Sequence, residues 1–272
     1  MITAIPLLLE PEQLKQLLDG EKLVVIDLCK DTTYAQLHIP GAIHLAYNKI
    51  VTSHHPVNGL LPEPEALAQT LSEVGIDNDS HVVAYDDEGG GNASRLLWSL
   101  EAMGHGRYSL LNGGLHAWAN EGHPCSRKPG TPAAASFSPA PSLDPVATTD
   151  YILQRLGDRD FALWDARSRY EYAGISRFAN HPGHIPGAAN LDWLEVMDRQ
   201  RNMRLKSDHQ LRALLSQQGL NQEREIVAYC QTHHRSSLAW FVLHYLGYQR
   251  CKGYPGSWSD WGNRDDTPKA LP

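Results

Sequence analysis

The chain has 272 residues, of which 42% are hydrophobic and 20% are charged, and its formal net charge is −7 at pH 7. This length suffices for one large domain or two domains of ordinary size, and the composition is that of a globular protein. The acidic balance argues against nucleic acid or an anionic membrane as a partner, because both usually require a basic face. No apolar run approaches the roughly 20 residues of a spanning helix. The run Ile5–Leu9 has no basic segment before it and is interpreted as mature protein rather than as a signal peptide.

The four cysteines are scattered and form no C-x-x-C pair; they are Cys29, Cys125, Cys230 and Cys251. In a chain of this length, such a distribution indicates reduced thiols rather than a disulfide framework or a zinc site. We therefore expect a cytoplasmic protein with no metal and no cofactor.

Taken in chain order, the predicted elements occur twice. The first copy has an apolar strand, a turn motif, a helix, a second strand and a glycine-led motif: Leu23–Asp27, His38–Ala42, Glu65–Ser72, Val82–Tyr85 and Gly113–Trp118. The second copy has the same series in the same order: Phe161–Asp165, His184–Ala188, Asp208–Leu215, Ile226–Tyr229 and Gly256–Trp261. Chance can produce one such match, but a full series in order indicates duplication.

Between the copies, Gly122–Ser142 is rich in Pro, Ala and Ser, which is the composition of a linker. We predict a first domain at residues 1–124, a linker at 125–142 and a second domain at 143–272. Short apolar strands that alternate with helices predict the α/β class. Each domain is expected to hold a mainly parallel sheet flanked by helices.

Cys230 directly follows the predicted strand Ile226–Tyr229, and a helical pattern begins at Ser236. Ligands of open α/β sheets gather at the carboxyl ends of the strands. The loop between strand and helix would aim its amides at the thiol near a positive helix end, which lowers a thiol pKa. The loop residues Gln231, Thr232, His233, His234 and Arg235 are thus predicted to bind an anionic substrate around a nucleophilic Cys230.

The alternative for any cysteine after a strand is a small buried hydrophobic residue. The polar, cationic loop argues against it for Cys230, whereas Cys29, Cys125 and Cys251 are interpreted in that structural way. For His233 and His234 the alternative is ordinary polarity at a loop tip. For Trp193 a place in the core is favoured over a wall of the pocket.

The duplicate supplies an internal control, because Asp86 stands where the second copy has Cys230. The loop that follows Asp86 is acidic and rich in glycine, and is expected either to repel an anion or to form a flexible, solvated turn. The first copy is therefore predicted to lack the chemistry of the second.

The motifs Asp165–Arg167 and Gly183–Ala188, the Cys230 loop and Gly256–Trp261 together resemble the two-domain rhodaneses, the thiosulfate and 3-mercaptopyruvate sulfurtransferases. The loop Cys-Gln-Thr-His-His-Arg resembles that of a bacterial thiosulfate sulfurtransferase subgroup. The resemblance implies an inactive first domain, an active second domain and a cysteine persulfide intermediate.

The implied reaction moves a sulfane sulfur from thiosulfate, through the Cys230 persulfide, to a small acceptor such as cyanide or a thiol. Arg235 is the candidate for the donor's sulfonate, with His233 and His234 able to help. A protein sulfur acceptor is an alternative partner, and a monomer is the expected state because two domains are fused in one chain.

Two departures bear on the alternative donor, 3-mercaptopyruvate. The loop lacks the Cys-Gly-Ser-Gly-Val-Thr pattern of many 3-mercaptopyruvate enzymes. Glu171 stands where many members have Arg, although Arg169 or Arg177 could compensate. A phosphatase or arsenate reductase of the same fold is a further alternative, but those enzymes place five residues between Cys and Arg, and here there are four.

Overall fold

The computed structural model describes residues 5–18, 20 and 22–272. The beginning of the first predicted domain, residues 1–4, lies outside the described residues. By their internal contacts the residues form two compact units. The first unit comprises Met1–Ile50, Pro62–Ser142 and Met197–Leu205, and the second comprises Val51–Leu61, Leu143–Val196 and Lys206–Pro272.

The first half of the chain contains seven described strands and five described helices. The strands are β1 (Leu8–Leu9), β2 (Leu23–Asp27), β3 (Ile43–His44), β4 (Thr52–His54), β5 (Val57–Leu60), β6 (His81–Tyr85) and β7 (Tyr108–Leu111). The helices are α1 (Pro11–Leu17), α2 (Asp31–Gln36), α3 (Pro64–Glu73), α4 (Gly91–Ala102) and α5 (Gly114–Asn120). The predicted strands and helix of this half all appear, with bounds shifted by one residue at most.

The sheet of the first unit has the order β1-β7-β6-β2-β3, and all of its neighbours pair in parallel. Its central strands are short and apolar because both faces are covered, and β6 is buried at every residue but its first. One core cluster joins Val25, Val83 and Tyr85 of the sheet to Leu115 and Trp118 of α5. The predicted α/β class is confirmed.

The second half repeats this arrangement. Its strands are β8 (Phe161–Asp165), β9 (Ala189–Asn190), β10 (Met197–Asp198), β11 (Arg204–Leu205), β12 (Glu225–Tyr229) and β13 (Cys251–Gly253). Its helices are α6 (Thr149–Arg155), α7 (Arg169–Tyr172), α8 (Asp208–Gln217), α9 (Arg235–Tyr245) and α10 (Ser257–Trp261). The sheet of the second unit has the order β13-β12-β8-β9 and is also parallel throughout.

Equivalent hydrogen bonds explain why the same motifs recur in both copies. The Tyr85 hydroxyl accepts a hydrogen bond from the amide of Ile39, and the Tyr229 hydroxyl accepts one from the amide of Ile185. The last tyrosine of each central strand thus holds the turn of its own His-Ile-Pro-Gly-Ala motif. Since both tyrosines are fully buried, these motifs build the fold rather than the chemistry.

Each of two antiparallel hairpins belongs to one compact unit, while the sequence on either side of it belongs to the other unit. The hairpin β4–β5 lies in the first half of the sequence but falls within the second unit. The hairpin β10–β11 lies in the second half but falls within the first unit. In the first unit Arg204 of β11 pairs with Glu10 and Glu121, and the amide of Leu205 donates to Asn112. Each unit is therefore completed by a hairpin from the other half of the sequence.

The segment 125–142 lies with the first unit and contains no helix or strand. It is nevertheless anchored, because the amide of Phe137 donates to the Ser72 hydroxyl and the amide of Ala140 donates to the carbonyl of Met103. The Phe137 side chain is buried. Separately, no helix in the described part of the chain is long and apolar enough to cross a membrane.

Candidate functional site

Cys230 lies at the carboxyl end of β12, a central strand of the second sheet. Four loop residues separate it from Arg235, the first residue of α9. The six predicted site residues, Cys230 to Arg235, therefore form one continuous turn that connects strand β12 to helix α9. The Cys230 side chain is 0% exposed, so only its surroundings decide whether it behaves as a buried hydrophobic residue or as a nucleophile.

The backbone of this turn is fixed from behind by α10. The amide of Trp258 donates to the carbonyl of Cys230 at 3.0 Å, and the amide of Ser259 donates to that of Gln231 at 2.9 Å. The amide of Cys230 donates to the Ser257 hydroxyl at 3.2 Å. The second copy of the glycine-led motif therefore supports the site, a role that its sequence alone did not reveal.

The pKa of the Cys230 thiol is lowered from its ordinary value. Burial acts to raise this pKa, but the positive charge of Arg235 and hydrogen bonds to the sulfur from the Ser236 hydroxyl and from the amides of Ser236 and Thr232 outweigh it. A thiolate is thus stabilised inside the turn, as expected for a nucleophile and not for a structural cysteine. Ser236 was missed by sequence reasoning, since it looks like an ordinary first-turn helix residue.

The two histidines occupy different environments. His233 is buried with a positive φ of 56°, its Nδ1 lies 2.7 Å from the Ser236 hydroxyl, and its carbonyl accepts from the Ser237 hydroxyl. The alternative of ordinary polarity at a loop tip is therefore wrong for His233, because its ring is buried and helps to fix the turn. His234 is partly exposed, and its ring lies 5.7 Å from that of Trp193. Trp193 is itself partly exposed rather than part of the core.

Arg235 forms a bidentate ion pair with Glu171, with both N···O distances at 2.7 Å. Glu171 belongs to α7, where Ser168 caps the helix and shares the Glu171 carboxylate. Although burial opposes it, Arg235 and Ser168 lower the pKa of Glu171 to about 2, so the carboxylate is charged at neutral pH. The Arg235 guanidinium is thereby held in one orientation, with part of its charge balanced.

A second ion pair supports the sheet end beneath the site. Arg167 donates to both oxygens of Asp165 and to the carbonyl of Gly183, and its guanidinium lies 4.5 Å from the Trp258 ring centroid. Both charged side chains are almost fully buried. This network explains the Asp-Ala-Arg motif as a structural element that joins β8 to the turn at Gly183 and to α10.

The hairpin β4–β5 adds residues to the second unit that sequence reasoning did not assign to the site. The amide of Asn58 donates to the Ser259 hydroxyl, which in turn donates to the carbonyl of Asn58. Gly59 has a φ of +75° and lies directly against Thr232. A Cβ atom added at Gly59 would lie 2.7 Å from the Cβ of Thr232 and closer still to its carbonyl oxygen.

The first copy contains a turn of the same length, with Asp86 in the place of Cys230 and α4 beginning at Gly91. The alternative of a flexible, solvated turn is wrong, whereas the expectation that the acidic loop repels an anion stays a prediction. The Asp86 side chain is buried and accepts hydrogen bonds from the amides of Glu88, Gly89, Gly90 and Ala93 at 2.8–3.1 Å. The loop is therefore an anion-binding turn that is filled by its own carboxylate. Burial and the charge of Glu88 raise the pKa of Asp86 to about 6, against the effect of these amides.

The other three cysteines differ in their surroundings. Cys29 is buried, and burial together with Asp27 raises its pKa well above the ordinary range. Cys251 is partly buried in β13. Cys125 is exposed, so the interpretation of this residue as a buried hydrophobic one is wrong; its pKa is raised. The thiol pKa is thus lowered at Cys230 and raised at Cys29 and Cys125.

Comparison with known proteins gives matches over both halves of the chain. The model of the rhodanese-like domain matches residues 10–121 and 148–264. A thiosulfate sulfurtransferase of Azotobacter vinelandii is 42% identical over 98% of each chain, and one of Pseudomonas aeruginosa is 40% identical over 97% of each. The sulfur carrier protein TtuD of Thermus thermophilus is 32% identical over 97% of this chain and 96% of its own.

Among solved structures, the anaerobic ergothioneine biosynthesis enzyme of Chlorobium limicola matches with a TM-score of 0.85. It is 22% identical, and the match covers 97% of this chain and 70% of that one. At this identity the likeness shows a shared fold and nothing about activity.

Proposed function

This chain belongs to the rhodanese family, and from that premise we propose that it is a thiosulfate sulfurtransferase with Cys230 as its sulfur-carrying nucleophile. The observation that carries the proposal is the lowered pKa of a fully buried thiol in a short anion-binding turn. Curated relatives at 40% and 42% identity over nearly the whole chain are thiosulfate sulfurtransferases, which supports the same activity here.

In the first step the Cys230 thiolate attacks the outer sulfur of thiosulfate. The bond between the two sulfur atoms of thiosulfate breaks, and its electron pair leaves with sulfite. Cys230 then carries a persulfide, whose outer sulfur keeps the single negative charge that the thiolate had. In the second step an acceptor anion, cyanide or a thiolate, attacks the outer sulfur and the Cys230 thiolate is regenerated. The nucleophile needs no separate base, because the turn already favours its ionised form.

We assign the loop residues as follows. The amides of Thr232 and Ser236 hold the charge of the thiolate and then of the persulfide, and His233 fixes the turn from within. His234 and Arg235 attract the sulfonate of the donor. Gln231 lines the mouth of the turn, where its side-chain amide donates to the carbonyl of Phe178. The second copy, residues 143–272, is the catalytic domain in this proposal, and the first copy is the inactive one.

Glu171 favours thiosulfate over 3-mercaptopyruvate as the donor. It places a negative charge beside Arg235, and Arg169 and Arg177, which could have compensated, are both exposed on the surface. In 3-mercaptopyruvate the carboxylate is a second group to be held besides the reacting sulfur, and a cation at position 171 would hold it; Glu171 places a negative charge there instead.

The test is the mass of the purified protein after incubation with thiosulfate in the absence of an acceptor. We expect the wild type to gain one sulfur atom and Cys230→Ser to gain none. Cys125→Ser is the matched control, since it removes an exposed thiol and should load like the wild type. An unchanged mass in the wild type, or loading that depends on Cys125, would refute the proposal.

A further inference from the structure

Among the described residues, most of the large exposed hydrophobic side chains lie close to one another. Five such side chains are exposed by 60% or more, and three of them lie within nine residues: Tyr170 at 66%, Ile175 at 71% and Phe178 at 64%. A fourth, Leu271 at 61%, reaches Gly174 in the same segment, where an added Cβ would lie 2.7 Å from its Cδ2 atom. Single exposed hydrophobic residues are normal, but a contiguous group indicates an interaction site. We call Tyr170, Ile175, Phe178 and Leu271 the apolar patch.

The apolar patch lies beside the Cys230 turn. The segment that carries it contacts the turn at both of its ends. Glu171, next to Tyr170, is paired with Arg235, and the carbonyl of Phe178 accepts a hydrogen bond from the Gln231 side chain at 3.0 Å. Tyr170 and Ile175 also line a cavity of about 820 Å³, which has room for a side chain of a bound partner.

Two cations flank the patch. Arg169 and Arg177 are exposed, and within residues 5–18, 20 and 22–272 neither guanidinium has a hydrogen bond or ion pair. An apolar surface with unmatched arginines is complementary to a protein segment that carries acidic and apolar side chains. Thiosulfate and cyanide are too small to use such a surface.

We propose that the apolar patch, with Arg169 and Arg177, docks a protein sulfur acceptor whose cysteine is flanked by acidic and apolar residues. The proposal rests on the proposed function, since it requires the Cys230 persulfide. The acceptor thiolate attacks the outer sulfur of that persulfide, the bond between the two sulfur atoms breaks, and its electron pair stays on Cys230. The acceptor leaves as a persulfide and the enzyme thiolate is restored, so no oxidant or reductant is needed.

The test uses two short synthetic peptides, each with one cysteine. In the first, Asp, Glu, Leu and Phe surround the cysteine; in the second, Lys replaces Asp and Glu. The full-length protein is loaded with thiosulfate, freed of excess donor and mixed with each peptide, and the sulfur gained by the peptide is followed over time by mass spectrometry. We expect the acidic peptide to react at least roughly tenfold faster than the lysine peptide, with a preference that shrinks as salt is added.

Matched variants locate the effect. Tyr170→Ser with Ile175→Ser should slow transfer to the acidic peptide by roughly tenfold or more, as for the apolar centre of an interface, while transfer to cyanide stays unchanged. Arg169→Gln with Arg177→Gln should abolish the preference for the acidic peptide. Leu143→Ser removes the fifth exposed hydrophobic side chain, which lies outside the patch, and should change neither rate.

Equal rates for the two peptides, or a patch variant that transfers to the acidic peptide like the wild type, would overturn the docking proposal while leaving thiosulfate chemistry intact. Failure to load with thiosulfate would instead refute the proposed function. In that case, binding of the acidic peptide to the unloaded protein, measured by fluorescence anisotropy, still tests the patch. Binding that is unaffected by the Tyr170 and Ile175 substitutions would then reject it.

Discussion

The substitution Gly59→Ala tests whether the hairpin β4–β5 holds the catalytic turn in place through its contact with Thr232. The added methyl would lie 2.7 Å from the Cβ of Thr232, whereas an ordinary contact begins at 3.4 Å. Thr232 must therefore move by at least 0.7 Å, and more at its carbonyl oxygen, which lies closer. Its amide is one of the donors that stabilise the Cys230 thiolate.

The expected effect follows from the loss of that donor. A hydrogen bond to a charged group contributes roughly 1.5–3 kcal/mol, which corresponds to an increase of about one to two units in the pKa of Cys230. The thiolate fraction below this pKa, and with it the rate of loading by thiosulfate, should fall roughly 10- to 100-fold. The assay is the pH dependence of Cys230 alkylation by iodoacetamide, together with single-turnover loading.

The control for backbone strain is Gly247→Ala in the same unit. Gly247 has a φ of +80°, close to the +75° of Gly59, but no atom lies within 4 Å of an added Cβ. Both variants should lose stability, because each places an alanine in a left-handed backbone conformation, and thermal unfolding measures this loss. Only Gly59→Ala should shift the pH dependence of Cys230 alkylation. The same profile for both variants would show that the hairpin does not hold Thr232.

Three further outcomes are expected from the charged groups around the site. Glu171→Arg should raise kcat/KM for 3-mercaptopyruvate relative to thiosulfate by roughly tenfold, because it supplies a cation for the carboxylate of that donor; an unchanged ratio contradicts the role given to Glu171. The lowered pKa of Glu171, about 2 against 4.5, means that its contribution to folding is complete above pH 4.5 and is lost as the pH falls towards 2. Urea unfolding should therefore show the wild type losing up to about 3 kcal/mol more than Glu171→Gln between pH 5 and 2. Arg167→Met should cost about 3–5 kcal/mol by leaving Asp165 buried and unpaired, and adding Asp165→Asn should recover part of this loss; a stable single variant would contradict it.

The central strands and the position of Cys230 were predictable because they depend on local pattern. Short apolar runs specify buried strands, and a polar residue series after such a run marks the sheet end where ligands bind. The duplicated motifs also placed Asp86 opposite Cys230, and the structure has the two residues in turns of equal length.

What sequence did not reveal depends on long-range contacts. Whether Glu171 would repel a donor or pair with Arg235 could not be read from its position, since the two residues are 64 apart in the chain. Asp86 looked like one charge among several in an acidic loop, yet backbone amides surround it. The role of Gly59 depends on which unit receives the hairpin, and strand patterns do not encode that choice.

The exchange of hairpins between the units has a consequence for the origin of the duplicated chain. Residues 143–272 on their own lack the hairpin that backs Thr232, and the first unit likewise relies on residues 197–205. A protein with a single copy that kept this arrangement would obtain its hairpin from a second identical molecule, as a domain-swapped homodimer. Fusing two copies in one chain replaces that concentration-dependent association with an intramolecular one. The fused copies are then free to diverge, so that one keeps the thiol and the other fills its own anion-binding turn with a carboxylate.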